Sequence, residues 1–215
     1  EAITLLLGES SAGKSTIIRL IMGTEIPTSG DIKISQVDNT PVVGQPVMLD
    51  SRPSYRQDEV VHSIWTKARA SAMSNADSTA TRNDLETLSE VLGLRLESKI
   101  RELSMSEVYL CRLGEACMTS TFGQRSVSPG TMSNPQEMES EANASSPSCP
   151  APILLLDEWL DTETSTVIQR VQGSLENLAR NGAVVVCVTH KPHLFHNGNL
   201  RRITLSRGKV MSIAN

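Results

Sequence analysis

The sequence predicts an α/β domain built on a mostly parallel β-sheet flanked by helices. Short apolar runs typical of strands buried on both faces recur along the chain, and amphipathic helical patterns lie between them. A glycine-rich loop joins the first of these runs to the first helix. Strands that alternate with helices favour a parallel sheet covered on both faces, and 215 residues are enough to bury its core.

The first strand and helix lie at the start of the chain. Residues 2–7, AITLLL, form a continuous apolar run that predicts a buried strand. Isoleucines at helical spacing predict a helix over Lys14–Met22, and Gly23 is placed to end it. A turn follows, and the alternation at 31–34 predicts a short half-buried strand. We therefore assign residues 1–50 to the first part of the core.

Two segments of different character interrupt the core. Residues 51–118 predict a helical subdomain, in which one leucine-lined helix ends at Gly93. The leucines on that helix face are Leu85, Leu88 and Leu92. Residues 119–150 are rich in Ser, Pro, Asn and Glu and almost lack aliphatic side chains, which predicts a disordered insertion.

Residues 151–215 return to the alternation of strands and helices and complete the core. Ile153–Leu156 and Ala183–Val188 are apolar runs that predict buried strands, and an amphipathic helix lies between them. The apolar residues of that helix are Ile168, Val171, Leu175 and Leu178, and it ends at Asn181-Gly182. The tail predicts a hairpin around Arg207-Gly208.

Composition limits the classes of partner and compartment. The formal net charge of -4 with interspersed signs provides no basic field, so we expect no nucleic-acid partner. Four cysteines without CxxC spacing favour a reducing, cytosolic compartment. No apolar run approaches the roughly 20 residues of a membrane helix. Because the chain opens directly on a strand, we expect further N-terminal strands to precede Glu1.

The glycine-rich loop predicts a phosphate-binding site. GESSAGKS at 8–15 fits a loop whose backbone amides cradle phosphates at a helix N-terminus. In that pattern Lys14 reaches the β and γ phosphates and the Ser15 hydroxyl binds Mg²⁺. The predicted nucleotide-binding residues are Gly8, Ser10, Ala12, Gly13, Lys14, Ser15 and Thr16. The alternative is a glycine turn that carries a surface lysine.

Polar residues follow two predicted strands of the second core segment. Asp157 and Glu158 follow the first, and His190 follows the second. Since ligands sit at the carboxyl ends of parallel strands, we expect Asp157 to hold Mg²⁺ and Glu158 to polarise an attacking water. His190 would then touch the γ-phosphate. Without the loop, the acidic pair would indicate a solvated strand end and the histidine a structural role.

These motifs, in this order, resemble those of the ATP-binding cassette (ABC) family. GESSAGKST is similar to its Walker A motif, ILLLDE to Walker B with the catalytic glutamate, and VVVCVTH to the switch-histidine strand. Gln45 in VVGQPVML resembles the Q-loop glutamine, which contacts Mg²⁺ and water in that family. The resemblance implies ATP and Mg²⁺ as ligands, a second nucleotide-binding domain packed head to tail, and a transmembrane partner.

The signature motif departs from the family pattern. Where the family has LSGGQ, residues 103–107 read LSMSE, so both glycines are absent. The resemblance makes Ser104 a contact to nucleotide across the pair, yet Ser104-x-x-Glu107 is also a capping box. Trp159 replaces the usual proline after the glutamate, and Leu160-Asp161 is the remnant of the D-loop.

Three functions fit this pattern. The first is an ABC-type ATPase that energises a transporter, cytoplasmic or held on the cytoplasmic membrane face by its partner. Its intact P-loop beside a degraded signature predicts an asymmetric pair with a better signature elsewhere. The alternatives are a non-hydrolysing ATP-binding regulatory module and, less favoured because no arginine-rich lid is evident, a P-loop kinase for small molecules.

Overall fold

The computed structural model of the chain describes residues 3–32, 45–50, 52–72, 82–120, 152–195 and 199–214. The strands are β1 (Ile3–Gly8), β2 (Val47–Leu49), β3 (Ile153–Asp157), β4 (Val184–Val188), β5 (Leu200–Ser206) and β6 (Lys209–Ala214). The helices are α1 (Lys14–Ile21), α2 (Val61–Ala72), α3 (Arg82–Leu92), α4 (Met105–Ser120) and α5 (Ser165–Arg180). Short 3₁₀ turns lie at Ile100–Glu102 and Pro192–Leu194.

The strands form one sheet in the order β2-β3-β4-β1-β5-β6. Strands β1 to β5 run parallel, and only β6 is antiparallel, in a hairpin with β5. Arg207 and Gly208 have φ values of 48° and 74° at the turn, as a tight hairpin requires. The mostly parallel sheet and the terminal hairpin are as predicted. All carboxyl ends of β1 to β5 therefore meet at one edge.

The strands predicted at 2–7, 153–156 and 183–188 and the helices that follow the first two of them are confirmed with small changes in their bounds. Helix α1 begins directly after Gly13, whose φ of 98° lets the chain turn from loop to helix. Gly23, with φ of 70°, follows its C-terminal turn. Strand β3 includes Asp157, so that acid occupies the last position of the strand itself.

The helical subdomain packs α2 closely against α4. The indole nitrogen of Trp65 donates a hydrogen bond of 2.9 Å to the carbonyl oxygen of Cys111. Trp65 is fully buried, and its ring lies where a Cβ at Gly114 would have to sit. The small residue in α4 therefore allows this approach. Helix α4 continues through Ser120, two residues into the predicted insertion, and the rest of that insertion lies outside the described residues.

Two other predictions are only partly covered by the described residues. Asp31 and Ile32 carry no strand, and the second half of the strand predicted at 31–34 lies outside the described residues. The side chains of Cys111, Cys117 and Cys187 are buried. No helix in the described parts of the chain is both long and apolar enough to span a membrane.

Candidate active site

The loop after β1 is held in a tight turn against β5. Gly8 has φ of 146°, and a Cβ there would collide with the carbonyl oxygen of Leu205. The amide of Ala12 donates to Glu9 O at 3.1 Å, and the amide of Gly208 donates to Ala12 O at 3.1 Å. The loop is thus closed on itself and tied to the β5–β6 hairpin.

Lys14 holds the loop together from its centre. Its side chain is buried, and Nζ donates to Gly8 O at 2.8 Å and to Glu9 O at 2.9 Å. The ammonium group therefore sits inside the turn at the N-terminus of α1. A positive charge and the helix dipole both favour an anion at this position.

The acid at the end of β3 lies against the same loop. The Ser15 hydroxyl and the charge of Lys14 both lower the pKa of the Asp157 carboxyl group. Burial, followed by the neighbouring charge of Glu158, nevertheless raises the pKa of Asp157 above its ordinary value. Asp157 Oδ1 is buried and has no hydrogen-bond partner among the described residues. The predicted convergence of Lys14 and Asp157 is therefore a feature of the fold.

Glu158 and His190 meet at the ends of β3 and β4. His190 Nε2 lies 2.8 Å from Glu158 Oε1, and both side chains are about half exposed. Glu158 has φ of 54°, an uncommon conformation for a residue other than glycine, and its amide donates to Val188 O at 3.0 Å. The left-handed turn directs the carboxylate away from the strand and toward the histidine.

Asp161 fixes the end of β4. One carboxylate oxygen accepts the Thr189 hydroxyl at 2.6 Å, and the other accepts the His190 amide at 2.8 Å. The residue predicted as the remnant of the D-loop thus positions the histidine backbone within the same chain. This contact was not predicted, because Asp161 and His190 are 29 residues apart.

A pocket of about 300 Å³ opens over the loop and these side chains. It is lined by Ser10, Ser11, Ala12, Gly13, Lys14, Ser15, Thr16, Arg19, Glu158 and His190. Most of the predicted site residues therefore surround one space. Arg19 was not predicted, although it lies one helical turn after Ser15 and donates to Ser15 O at 3.4 Å. The i, i+4 spacing of Ser15 and Arg19 on a predicted helix is the sequence pattern that could have indicated Arg19 as a pocket residue.

Gln45, which we expected in the catalytic and metal site, lies before β2 and not after it. Val47 pairs with Leu154 and Leu49 with Leu156 in the parallel register of β2 and β3. Continuing that register backwards sets Gln45 level with Pro152, at the amino end of the sheet. At about 3.3 Å per residue, this is about 16 Å from the edge that carries Asp157. The residue that follows β2 at the carboxyl edge is Asp50.

The degraded signature forms a capping box at the N-terminus of α4. Glu107 Oε2 accepts the Ser104 amide at 2.8 Å and the Ser104 hydroxyl at 2.6 Å. These bonds lower the pKa of Glu107 below its ordinary value. Ser104 is not in the lining of the pocket, and Met105 beside it is half exposed. The capping interpretation is therefore the one that the geometry supports.

A buried carboxylate links three segments near the site. Glu163 accepts a hydrogen bond from the Tyr109 hydroxyl at 2.9 Å, and Arg52 Nε donates to it at 3.0 Å. The Tyr109 ring also meets Trp159 edge to face, with centroids 4.8 Å apart. Trp159 stands where the family pattern has a proline, and its ring packs against Tyr109 of α4. Sequence reasoning missed this group because its members lie far apart in the chain.

Comparison with known proteins identifies relatives of this site and fold. The sequence model of the family described as ABC transporter matches residues 1–161. The cell division ATP-binding protein FtsE of Mycobacterium tuberculosis is 28% identical over 210 residues, covering 96% of this chain and 80% of that protein. The octopine permease ATP-binding protein P of Rhizobium meliloti is 24% identical over 209 residues, covering 95% of this chain and 74% of that protein.

Solved structures share the fold at low sequence identity. A metal-chelate type ABC transporter in an inward-facing conformation has a TM-score of 0.63 at 16% identity, covering 99% of this chain and 71% of that one. A nucleotide-free ATP-binding cassette from an ABC transporter has a TM-score of 0.62 at 14% identity, covering 99% of this chain and 79% of that one. A dimeric ATP-binding cassette in a post-hydrolysis state bound to ADP and Pi has a TM-score of 0.57 at 16% identity, covering 99% of this chain and 84% of that one.

Proposed function

Because this chain belongs to the ABC transporter family of ATP-binding proteins, we propose that it binds Mg-ATP in the pocket over α1 and hydrolyses it to drive a partner. The observation that carries the proposal is the contact between the two halves of the site. The Ser15 hydroxyl and the charge of Lys14 both act on the Asp157 carboxylate. A phosphate loop and a strand-end acid that share one side of the sheet have the composition of a magnesium-triphosphate site.

The loop supplies the phosphate contacts. Lys14 is already held at 2.8 Å and 2.9 Å by the loop carbonyls of Gly8 and Glu9, so its charge is positioned before phosphate arrives. The amides around Gly13 and the N-terminus of α1 face the same space and bind phosphate oxygens. Thr16 and Ser10 add hydroxyl groups to the lining of the pocket.

The donor set fits a divalent cation. Asp157 Oδ1 is buried without a hydrogen-bond partner among the described residues, which leaves a hard oxygen ligand available beside the Ser15 hydroxyl. Oxygen ligands of this kind suit Mg²⁺. When bound, the ion neutralises charge on the β and γ phosphates. Ser15 and Asp157 are the residues that hold it.

Glu158 and His190 carry the proposed chemistry. Glu158 orients a water molecule toward the γ-phosphate and accepts its proton, and His190 donates a hydrogen bond to the phosphate oxygens. Their mutual bond of 2.8 Å keeps both side chains at the mouth of the pocket. His190 must exchange at least part of this bond for phosphate, while Asp161 keeps its backbone in place.

The proposed working unit is an asymmetric pair held on the cytoplasmic face of a membrane by a transmembrane partner. Glu107 occupies the Ser104 amide and hydroxyl, so these two groups at the N-terminus of α4 are not available to a second nucleotide. The octopine permease ATP-binding protein and the dimeric cassette support a transport role and a paired state at the level of relatives.

Replacement of Glu158 by Gln tests the hydrolytic role. The variant should lose roughly 10²-fold or more of single-turnover phosphate release, because it removes the proton acceptor. ATP affinity should remain, and ATP should accumulate on the protein. The matched control is Glu97→Gln, which alters an exposed glutamate of the helical subdomain. Undiminished phosphate release by the Glu158 variant would refute the assignment.

A second function is favoured by the capping box alone: an ATP-binding module that regulates a partner without hydrolysis. The triple change Met105→Gly, Ser106→Gly and Glu107→Gln restores the signature pattern of the family. If hydrolysis is limited by the signature, this variant should release phosphate faster than the unchanged chain. If neither protein releases phosphate, with or without a second cassette, the regulatory function is the better account.

A further inference from the structure

We propose that Arg19 is a second cation for the nucleotide, whose guanidinium leaves a surface ion pair with Glu25 and binds phosphate oxygens in the pocket over α1. Its role rests on the proposed function, because the nucleotide and the pocket are the same. The predicted phosphate-binding residues end at Thr16, three positions before Arg19.

Arg19 lies on the face of α1 that carries the hydroxyl groups of the phosphate loop. With 3.6 residues per turn, it is offset by about 40° from Ser15 and about 60° from Thr16 around the helix axis. Side chains on a helix point back toward its N-terminus, so the guanidinium is directed over the first turn. The observed contact agrees, because Arg19 Nε donates to Ser15 O at 3.4 Å. Arg19 accordingly lines the pocket together with Ser15 and Thr16.

The contacts that hold the Arg19 side chain are weak, whereas its backbone is fixed. The guanidinium pairs with Glu25 at 3.9 Å, and both side chains are about half exposed. Exposed ion pairs contribute little to stability, and the 3.4 Å bond to Ser15 O is longer than an ordinary hydrogen bond. The amides of Thr24 and Glu25 donate to Arg19 O at 3.0 Å and 3.3 Å. The side chain can therefore turn toward a ligand without a change in the helix.

The charges around the pocket favour a second cation. Among the described residues that line it, Lys14 and Arg19 carry a permanent positive charge, and Glu158 is acidic. The Lys14 ammonium has three donors and gives two of them to the carbonyl oxygens of Gly8 and Glu9. A triphosphate has more acceptor oxygens and more negative charge than the remaining donor can satisfy. A guanidinium offers phosphate a planar pair of donors, so Arg19 supplies charge that the loop lysine leaves uncompensated.

The test is calorimetric titration with the non-hydrolysable ATP analogue AMP-PNP and Mg²⁺, which needs no turnover. Arg19→Gln should weaken binding roughly tenfold, because the phosphate loses hydrogen bonds to a charged group. The loss should become smaller at high ionic strength, since salt screens an exposed guanidinium. Arg19→Lys keeps the charge and should bind more tightly than Arg19→Gln, which separates loss of charge from local damage to the helix.

Two further variants serve as controls. Arg101→Gln makes the same change at a matched position, because its side chain is 58% exposed, as is that of Arg19, and its ion pair with Glu102 is 4.0 Å long. This variant should bind AMP-PNP like the unchanged chain. Glu25→Gln removes the competing partner of Arg19, so its affinity should be equal to that of the unchanged chain or up to about threefold tighter.

The outcomes separate the role of Arg19 from the proposed function. Equal AMP-PNP affinity of Arg19→Gln and the unchanged chain would overturn the role of Arg19. A loss in Glu25→Gln as large as that in Arg19→Gln would also overturn it, because the ion pair itself would then support the site. Failure of the unchanged chain to bind AMP-PNP at all would instead overturn the proposed function.

Discussion

His190 Nε2 lies 2.8 Å from Glu158 Oε1, so the residues that end β4 and β3 share one hydrogen bond at the mouth of the pocket. The bond joins Glu158, the proposed proton acceptor, to His190, the proposed hydrogen-bond donor to the phosphate oxygens. Asp161 holds the His190 amide at 2.8 Å, so the backbone of His190 is fixed by a contact separate from that of its ring. The geometry predicts that His190 affects catalysis more than nucleotide affinity.

Replacing His190 with Ala should lower single-turnover hydrolysis by roughly 10²-fold, because the phosphate oxygens lose a positioned donor. ATP affinity should change by less than about threefold, since the loop and Lys14 supply most of the phosphate contacts. Rapid quench measurement of phosphate release reads the first quantity, and calorimetry the second. His193→Ala, at an exposed position three residues further on, is the control and should behave like the unchanged chain.

Tyr109→Phe should destabilise the fold by about 1 kcal/mol. The change removes the 2.9 Å hydrogen bond to Glu163 and keeps the ring that contacts Trp159. Arg52→Ala should also lower the stability of the fold, because it leaves the buried Glu163 carboxylate without its cation. Urea unfolding measures both. If the two variants unfold at the urea concentration of the unchanged chain, Glu163 does not link these segments.

Glu107→Gln should reduce stability near neutral pH and lose this effect in acid. Hydrogen bonds from Ser104 lower the pKa of Glu107 in the folded state. Its ionised form therefore adds stability above its ordinary pKa, and this contribution disappears as the pH falls through the lowered folded value. The difference in urea midpoint between the two proteins should shrink steadily below about pH 4. A difference that is constant with pH would show that Glu107 does not cap α4 as a carboxylate.

Two glycines in helices should respond in opposite directions to alanine. Gly114→Ala should destabilise by roughly 1–3 kcal/mol, because its Cβ would enter the Trp65 ring in the tightest contact between α2 and α4. Gly173→Ala on α5 meets no heavy atom within 4 Å and should stabilise by up to about 1 kcal/mol. Thermal melting of both variants measures the contrast. Equal effects would contradict the packing of the helical subdomain.

The sequence predicted the parts of the site that depend on short stretches of chain. The phosphate loop, α1 and the acids at the end of β3 are each determined by fewer than about twelve consecutive residues, and apolar periodicity locates them. Their convergence follows from the topology of a parallel sheet, since all carboxyl ends meet at one edge. The capping box at Ser104 was visible for the same local reason.

The position of Gln45 relative to the sheet could not be predicted from its own segment. Strand β2 is Val47–Leu49, which pairs with Leu154–Leu156, so Gln45 precedes the strand. Register depends on a partner strand more than a hundred residues away, so a single segment does not determine it. The pairing of Arg52 with Glu163 was missed because the two residues lie 111 positions apart in the chain.

The magnesium dependence of ATP binding tests the central claim most directly. Isothermal calorimetry with and without Mg²⁺ should give a tenfold or greater gain in ATP affinity for the unchanged chain, and that gain should fall roughly tenfold or more in Asp157→Asn. Lys14→Ala should weaken ATP binding in both conditions, because its charge acts on phosphate rather than on metal. If Mg²⁺ strengthens ATP binding equally in Asp157→Asn and the unchanged chain, the loop and the strand-end acid do not form one site.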